Sequence, residues 1–440
     1  MNGFDTSREC AELLDAADPL VRMRNEFEIP PMRDGSSRDG TGEKIYLVGN
    51  SLGVLPKRTR EYIGAELDRW STLGVEGHFT GELEWQAYHE LLTEPMARIV
   101  GGHADEVVVM NSLTVNLHLL FVSFYEPTPA RHKIIIEEHA FPSDHFAVES
   151  QIRQRGFDPT TSLVVVSPRG GAETLQRADI LAAIDECGDE LALVWLPGVQ
   201  YYTGQVLPMP EIVAAGHAVG ARVGFDLAHA AGNIPLRLHD WDVDFAVWCT
   251  YKYLNSGPGG VGGAYVHHRH VADPSLPKLT GWWGTRKDTR FEMRTVFDPI
   301  PTIESWQVSN APIVAMAALR ASLELVDEAG GIGALRAKSE LQIRYFDFLL
   351  DELLEGRVDS ITPRAMSERG AQFALTITDA ATDGRTVYDQ LGEAGVACDW
   401  RHPNVIRAAA VPLYNSFVDI FRFVEILNRL LPTSRPVTGD

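Results

Sequence analysis

The sequence predicts an α/β fold, with a large domain built on a mostly parallel sheet sandwiched by helices and a smaller α+β domain after it. Three observations predict it. Short β-branched runs recur along the first 250 residues, helical stretches separate several of them, and the pattern changes character after residue 310. The runs are EVVVMN from Glu106, KIIIEE from Lys133, LVVVSP from Leu163, LALVWL from Leu191, RVGFDL from Arg222 and DFAVWCTY from Asp244. Being apolar throughout, they read as strands buried on both faces. In EYIGAELDRW, Ile63, Leu67 and Trp70 fall at helical spacing and predict one apolar face. After Asn310 and Pro312 a long helical segment stops at Gly330-Gly331. A second helix follows, with Leu341, Tyr345, Phe348 and Leu349 in register. Then come strand-like AQFALTI (371–377) and VIRAAAV (405–411), and a helix carrying Phe417, Phe421, Val424 and Leu427. The expected units are an N-terminal segment (1–55) packing with the small domain, a large domain (56–310) and a C-terminal small domain (311–440).

Composition narrows the function classes. The chain has 440 residues, 45% hydrophobic and 22% charged, a balance that excludes intrinsic disorder and membrane residence. Its 39 basic against 60 acidic residues give a net charge of -21, which argues against a nucleic-acid partner. The four cysteines (Cys10, Cys187, Cys249, Cys398) are scattered, so neither a disulfide framework nor a structural metal is expected. No apolar run is long enough for a membrane span and no signal peptide is visible, so a cytoplasmic protein is expected. The stretch 33–44 and the tail from Pro432 read as loose loops. Only seven basic residues are lysines (Lys44, Lys57, Lys133, Lys252, Lys278, Lys287, Lys338), so a lysine in an apolar setting stands out.

Such a lysine lies in the densest stretch of the chain, residues 222–263. Asp226 ends one apolar run, His229 follows three residues later, and Lys252 follows the next run between Tyr251 and Tyr253. In parallel α/β sheets ligands bind at the carboxyl ends of strands, so acid and lysine are expected to face one pocket. A lysine among aromatic groups suits Schiff-base chemistry, and a buried acid suits a pyridine nitrogen that must stay protonated, as pyridoxal phosphate (PLP) requires. An ordinary Asp–Lys ion pair is the alternative at this point. Gly257, Gly259 and Gly262 match a dinucleotide fingerprint, but that motif must open a helix. Here GGAYVHH continues as a strand and Pro258 stands in the turn, so the glycines are expected to reverse the chain behind Lys252 instead.

Eight segments then carry a resemblance over nearly the whole chain: IYLVGNSLG, MNSLTVNLHLL, FPSDHFAVESQ, VGFDLAHAAGN, WCTYKYLNSGPGG, LTGWWG, VSNAP and NVIRAAAVPLYNSF. In this order and spacing they resemble the kynureninase family, PLP-dependent hydrolases of fold type I within the class V aminotransferase superfamily. The resemblance implies that Lys252 holds the cofactor and moves the Cα proton, that Asp226 meets the pyridine nitrogen, and that His229 supports it. It implies Phe141 stacked on the cofactor ring with Asp144 close by, and Leu113 and Thr114 at the phosphate, where a helix start favours an anion. Tyr251 is implied as a phosphate donor and proton shuttle. Trp282 and Asn310 resemble residues that reach cofactor or substrate from the neighbouring subunit of a homodimer. Arg407 matches the arginine that clamps the substrate carboxylate. His78, Ser309 and Asn310 point to 3-hydroxykynurenine over kynurenine, with Trp283 shaping the aryl pocket. Three positions depart from the family pattern: Pro197 replaces a hydroxyl residue, Trp283 stands where Phe is common, and Glu84 precedes Trp85 where Pro is frequent. The implied reaction is hydrolytic Cβ–Cγ cleavage to an anthranilate and L-alanine, in tryptophan catabolism or NAD biosynthesis. A ring-substituted kynurenine as substrate, an aminotransferase and a cysteine desulfurase are the alternatives.

Overall fold

The structure is a computed structural model that describes residues 3–32, 42–378 and 382–431. Most of the 33–44 loop and the tail from Pro432 therefore lie outside the described residues. The predicted apolar runs all form strands of one seven-stranded sheet: β1 (Val107–Val109), β2 (Lys133–Glu137), β3 (Leu163–Val166), β4 (Leu191–Pro197), β5 (Arg222–Asp226), β6 (Phe245–Cys249) and β7 (Gly262–Val266). The spatial order is β1-β7-β6-β5-β4-β2-β3. Neighbouring strands from β6 through β3 pair in parallel, and β7 runs antiparallel between β6 and β1. Its runs are apolar throughout because helices cover both faces. One layer centres on Val194, Phe225 and Trp248, the other on Phe121, Trp195 and Phe245.

Among the helices before residue 300 are α1 (Arg8–Ala17), α2 (Thr59–Leu73), α3 (Glu90–Val100), α4 (Leu113–Phe124) and α5 (Pro142–Gln154). They are followed by α6 (Ile313–Glu328), α7 (Gly331–Leu354) and α8 (Phe417–Leu430). A four-stranded antiparallel sheet completes the C-terminal region, with β8 (Val358–Ser360), β9 (Gln372–Ile377), β10 (Asp399–Arg401) and β11 (Val405–Ala409) in the order β8-β9-β11-β10. Strand β7 begins at Gly262 straight after the glycine turn, so the fingerprint glycines open no helix.

Three packing details differ from the periodicity. In α2, Leu67 and Trp70 face outward, Trp70 at 66% exposure, while Glu66 turns inward. Glu66 is buried because it accepts the Trp85 indole N–H at 2.7 Å and pairs with Arg69. In α7 the buried face runs through Ile343, Tyr345, Phe346 and Leu349, leaving Leu341 half exposed. Helix α6 sinks Met316, Leu319, Leu323 and Val326 into the core of the large sheet, so the packing changes over at α7 rather than at residue 310. The N-terminal segment is shared: Cys10, Ala11, Ile45 and Leu47 join the apolar cluster of the small sheet, whereas Phe27, Ile29 and Val54 join that of the large one.

Candidate active site

The carboxyl ends of β1, β2, β4, β5 and β6 open on a cavity of about 350 Å³, closed on its far side by β10 and β11 of the small sheet. Leu113, Thr114, Phe141, Asp144, Asp226, His229, Tyr251, Lys252 and Arg407 all line it, nine of the fourteen residues singled out in the sequence.

The turn between β1 and α4 builds one wall. Asn111 takes a left-handed conformation (φ 47°), and Asn116 holds the turn by accepting from Asn111 and donating to the Met110 carbonyl. Ser112 then starts α4 without a side-chain cap, so the Leu113 and Thr114 N–H groups lie at an uncapped helix start on the cavity wall. Such a start attracts an anion. Gly262 packs against it: a Cβ there would lie 3.0 Å from Ser112 and 3.1 Å from Leu113. The glycine stretch thus supports the anion-binding turn as well as the chain behind Lys252.

The floor is acidic and buried. Asp226 ends β5 and accepts the Ala228 N–H at 2.6 Å. Asp144, on the first turn of α5, accepts the Trp195 indole N–H at 3.0 Å. Burial raises the pKa of both carboxyls, with Lys252 opposing the effect at Asp226 and Asp226 itself reinforcing it at Asp144. Asp144 is therefore pushed further up than Asp226, because Lys252 opposes burial at Asp226. His229, fully inside, is driven well toward the neutral form by burial and then by Lys252, Arg407 and Arg401. Burial also raises the Tyr251 hydroxyl, with Cys249 beside it adding to the effect, so Tyr251 stays a donor.

Small-sheet arginines form the opposite wall. Arg407 on β11 is 1% exposed, donates to the Tyr201 carbonyl at 2.5 Å and pairs with Asp399, its cross-strand neighbour on β10. Arg401 shares Asp399, so two guanidinium groups face the cavity against one carboxylate.

Five predicted residues do not line this cavity: His78, Trp282, Trp283, Ser309 and Asn310. Ser309 and Asn310 are exposed, and His78 packs edge-on against Trp85. Trp282 is 42% exposed and contacts Phe291, which in turn meets Phe79, so an aromatic patch forms on the surface. Trp283 is buried beneath the Arg290 guanidinium at 4.3 Å and edge-on to Trp282. Trp283 thus stands behind Trp282 and off the wall of this cavity.

Sequence reasoning missed Glu137, Arg401, Tyr201, Trp195 and Asn50, all on the cavity wall. Glu137 had a signal, since it ends an apolar run at the same sheet edge as Asp226. Burial, followed by Asp226, pushes its carboxyl up to about 8. Arg401 had none, because only the approach of the small sheet brings it in, whereas Tyr201 sits in the loop after β4, at the same sheet edge as Asp226.

The residues fit PLP. The cavity pairs a lysine with a buried acid, an uncapped helix start for phosphate and, in Phe141 at 45% exposure, an aromatic face open to a ring. The buried Nδ1 of His229 has no hydrogen-bond partner among the described residues, a polar atom left for a ligand.

Comparison with known proteins agrees. The kynureninase C-terminal domain family matches residues 335–427. Kynureninase of Koribacter versatilis is 53% identical over 422 residues, covering 96% of this chain and 97% of its own. Kynureninases of Myxococcus xanthus and Salinispora tropica are each 51% identical, over 96% and 95% of this chain and 97% and 96% of theirs. Among solved structures, the cystine C–S lyase C-DES superposes with a TM-score of 0.72 at 19% identity, over 89% of this chain and 99% of its own. A cysteine desulfurase from Thermococcus onnurineus gives 0.71 at 18%, over 92% and 99%. At such low identity these two report the fold-type I architecture, whereas identity above one half, sustained over nearly the full length of both chains, carries the assignment: the chain belongs to the kynureninase family.

Proposed function

We propose that the chain hydrolyses the Cβ–Cγ bond of L-kynurenine or L-3-hydroxykynurenine, with the 3-hydroxy form preferred, to give anthranilate or 3-hydroxyanthranilate and L-alanine. The observation that carries this reading is the convergence of Lys252, Asp226, the α4 start and Arg407 on one cavity. Bound PLP supplies an electron sink for charge developing at the substrate carbons. The chain supplies the rest. Leu113 and Thr114 hold the phosphate with Tyr251 as a further donor, Phe141 covers the ring, and Asp226 keeps the ring nitrogen charged with His229 neutral beside it. Arg407, with Arg401 adjacent, fixes the substrate carboxylate and so orients the Cα–H toward the Lys252 amine, which takes the proton and returns it. Water then adds across the Cβ–Cγ bond, its hydroxyl going to the acyl carbon and a proton to the three-carbon fragment.

A homodimer completes the reading. Trp282 and Asn310 would serve the partner's cavity, and His78, Ser309 and Asn310 would meet a 3-hydroxyl there. Ser309 and Asn310 are exposed, and Trp282 and His78 pack on the exposed rings of Phe291 and Phe79, which supports this. A site built to bond that hydroxyl discriminates against its absence. The domain division belongs to the same reading, with α6 counted in the large domain. So do a cytoplasmic location and a role in tryptophan catabolism or NAD biosynthesis. Cysteine desulfuration is disfavoured: Cys398 is buried, and that burial pushes its thiol up to about 12, so no thiolate is available.

Incubating the PLP-loaded enzyme with each substrate, without a keto acid, tests the proposal. Equimolar aryl acid and alanine are expected, with loss of turnover in Lys252→Ala and a higher kcat/KM for 3-hydroxykynurenine. Alanine production that requires a keto acid would refute hydrolysis, and a clear advantage for unsubstituted kynurenine would refute the preference alone.

A further inference from the structure

A second cluster of reactive side chains lies at the other end of the large sheet, where β1 begins and β7 ends. Six of the chain's 14 histidines gather there: His103, His217, His239, His267, His268 and His270. His217 and His270 are committed to Asp244, at 2.9 and 2.6 Å. The others surround Glu106, which is fully buried.

Glu106 makes more contacts than its structural duty requires. Its carboxylate accepts the backbone N–H of His103 and of His268, both at 2.8 Å, which ties the approach to β1 to the exit from β7. That alone would hold the two segments. Three imidazoles from three separate stretches of chain nevertheless converge on the same carboxylate. His239, from the β5–β6 connection, places Nδ1 at 3.0 and 3.1 Å from the two oxygens. The His268 Nδ1 lies 3.4 Å from one of them. The His103 ring stacks on His239 with centroids 3.7 Å apart. Imidazole nitrogens are ready ligands for a transition metal, and three of them stand here around one buried carboxylate.

We propose that His103, Glu106, His239 and His268 form a site for a divalent transition metal, Zn²⁺ by preference, on the sheet edge opposite the catalytic cavity. One ligand atom from each of the four residues lies within 4.8 Å of all the others. Tetrahedral Zn²⁺ with bonds of about 2.0–2.2 Å needs its donors roughly 3.3–3.5 Å apart, a contraction that small side-chain rotations supply. Three nitrogens and one carboxylate oxygen suit Zn²⁺, Co²⁺ or Ni²⁺ better than Mg²⁺ or Ca²⁺. Entry is open, because His103 and His268 face solvent while Glu106 anchors the inner side. A second group, His89, Glu90 and Glu304, has comparable spacing, but the Lys287 ammonium bridges both of its carboxylates and takes the place of a cation. The site would tie together the β1 approach, the β5–β6 connection and the end of β7, so its role is structural.

The test is titration of metal-free, PLP-loaded enzyme with Co²⁺ and with Zn²⁺, alongside the double variant His103→Ala/His268→Ala. Both histidines are exposed at the rim, so the fold should tolerate their loss. One equivalent of Co²⁺ should bind with a visible absorption band, and Zn²⁺ should displace it and raise the thermal midpoint. In the variant, affinity should fall by at least ~10-fold with turnover unchanged. Absence of saturable binding, or binding that the variant retains in full, would overturn the site.

Discussion

Three carboxyl groups, Glu137, Asp144 and Asp226, line the floor of one cavity, where burial raises all three and Lys252 opposes it at Asp226. Their environments separate them. Asp226 accepts a backbone N–H and faces the lysine, whereas Glu137 has burial as its main influence and is pushed up to about 8 from an ordinary value of 4.5. Between those two values the folded chain keeps a proton at Glu137 that the unfolded chain has lost. Stability from this group therefore falls as pH rises through that window and levels off above it. Glu137→Gln removes the dependence. Urea unfolding of the cofactor-free protein should show the variant gaining on the wild type with rising pH, by at most ~1.4 kcal/mol per pH unit. Parallel stability curves across the window would show that Glu137 is not held protonated. At this scale the sequence was legible where chemistry is local, as at Lys252 and Asp226, both at the ends of apolar runs. Arg401 was not, because its value lies in sharing Asp399 with Arg407 on the next strand.

At the scale of elements, the segment IYLVGNSLG has a clear physical task. Gly53 donates its N–H to the Tyr251 carbonyl at 2.7 Å, and Val54 donates to the Asn255 side chain. A Cβ on Gly53 would stand 2.2 Å from Asn255 Oδ1 and 2.4 Å from the Lys252 carbonyl, closer than any side chain tolerates. Asn255 itself holds a left-handed conformation (φ 49°) that fixes the turn after Lys252. The N-terminal segment thus buttresses the lysine loop. Gly53→Ala should displace that loop while leaving the sheet intact, weakening PLP binding by at least ~10-fold and lowering kcat, with far-ultraviolet circular dichroism unchanged. Cofactor affinity equal to wild type would show that the contact is dispensable. The α2 stripe teaches the converse. Periodicity picked Leu67 and Trp70 as core because they are apolar, but the buried position went to Glu66, which satisfies the Trp85 indole.

At the scale of the molecule, three exposed aromatic side chains join into one surface patch. Phe79, Phe291 and Trp282 touch in sequence, at 5.4 Å between ring centroids in each step, and Trp70, Val75, Met293 and Val296 are also exposed. Large contiguous apolar surfaces mark interaction sites. In the proposed homodimer this patch would lie at the interface, so Phe291→Glu should shift sedimentation from dimer to monomer. It should lower turnover through the loss of Trp282 and Asn310 from the partner's cavity, while Lys252 still binds PLP. A dimer that persists with full activity would place the interface elsewhere. The net charge of -21 fits the same picture: local donors at the α4 start and two small-sheet arginines meet the anionic ligands, and the excess acid lies elsewhere.

By itself the sequence determined the class of sheet, the order of its strands along the chain, and the residues that carry chemistry at strand ends, because buried strands and helix boundaries write themselves in local composition. Tertiary structure alone decided what faces what. The small sheet had to fold over the carboxyl edge before Arg401 and Arg407 could join Lys252 and Asp226. Three distant chain segments had to meet at the opposite edge before His103, His239 and His268 could surround Glu106. Contacts between residues hundreds of positions apart leave no local pattern, since they depend on how whole elements pack rather than on the residues beside them.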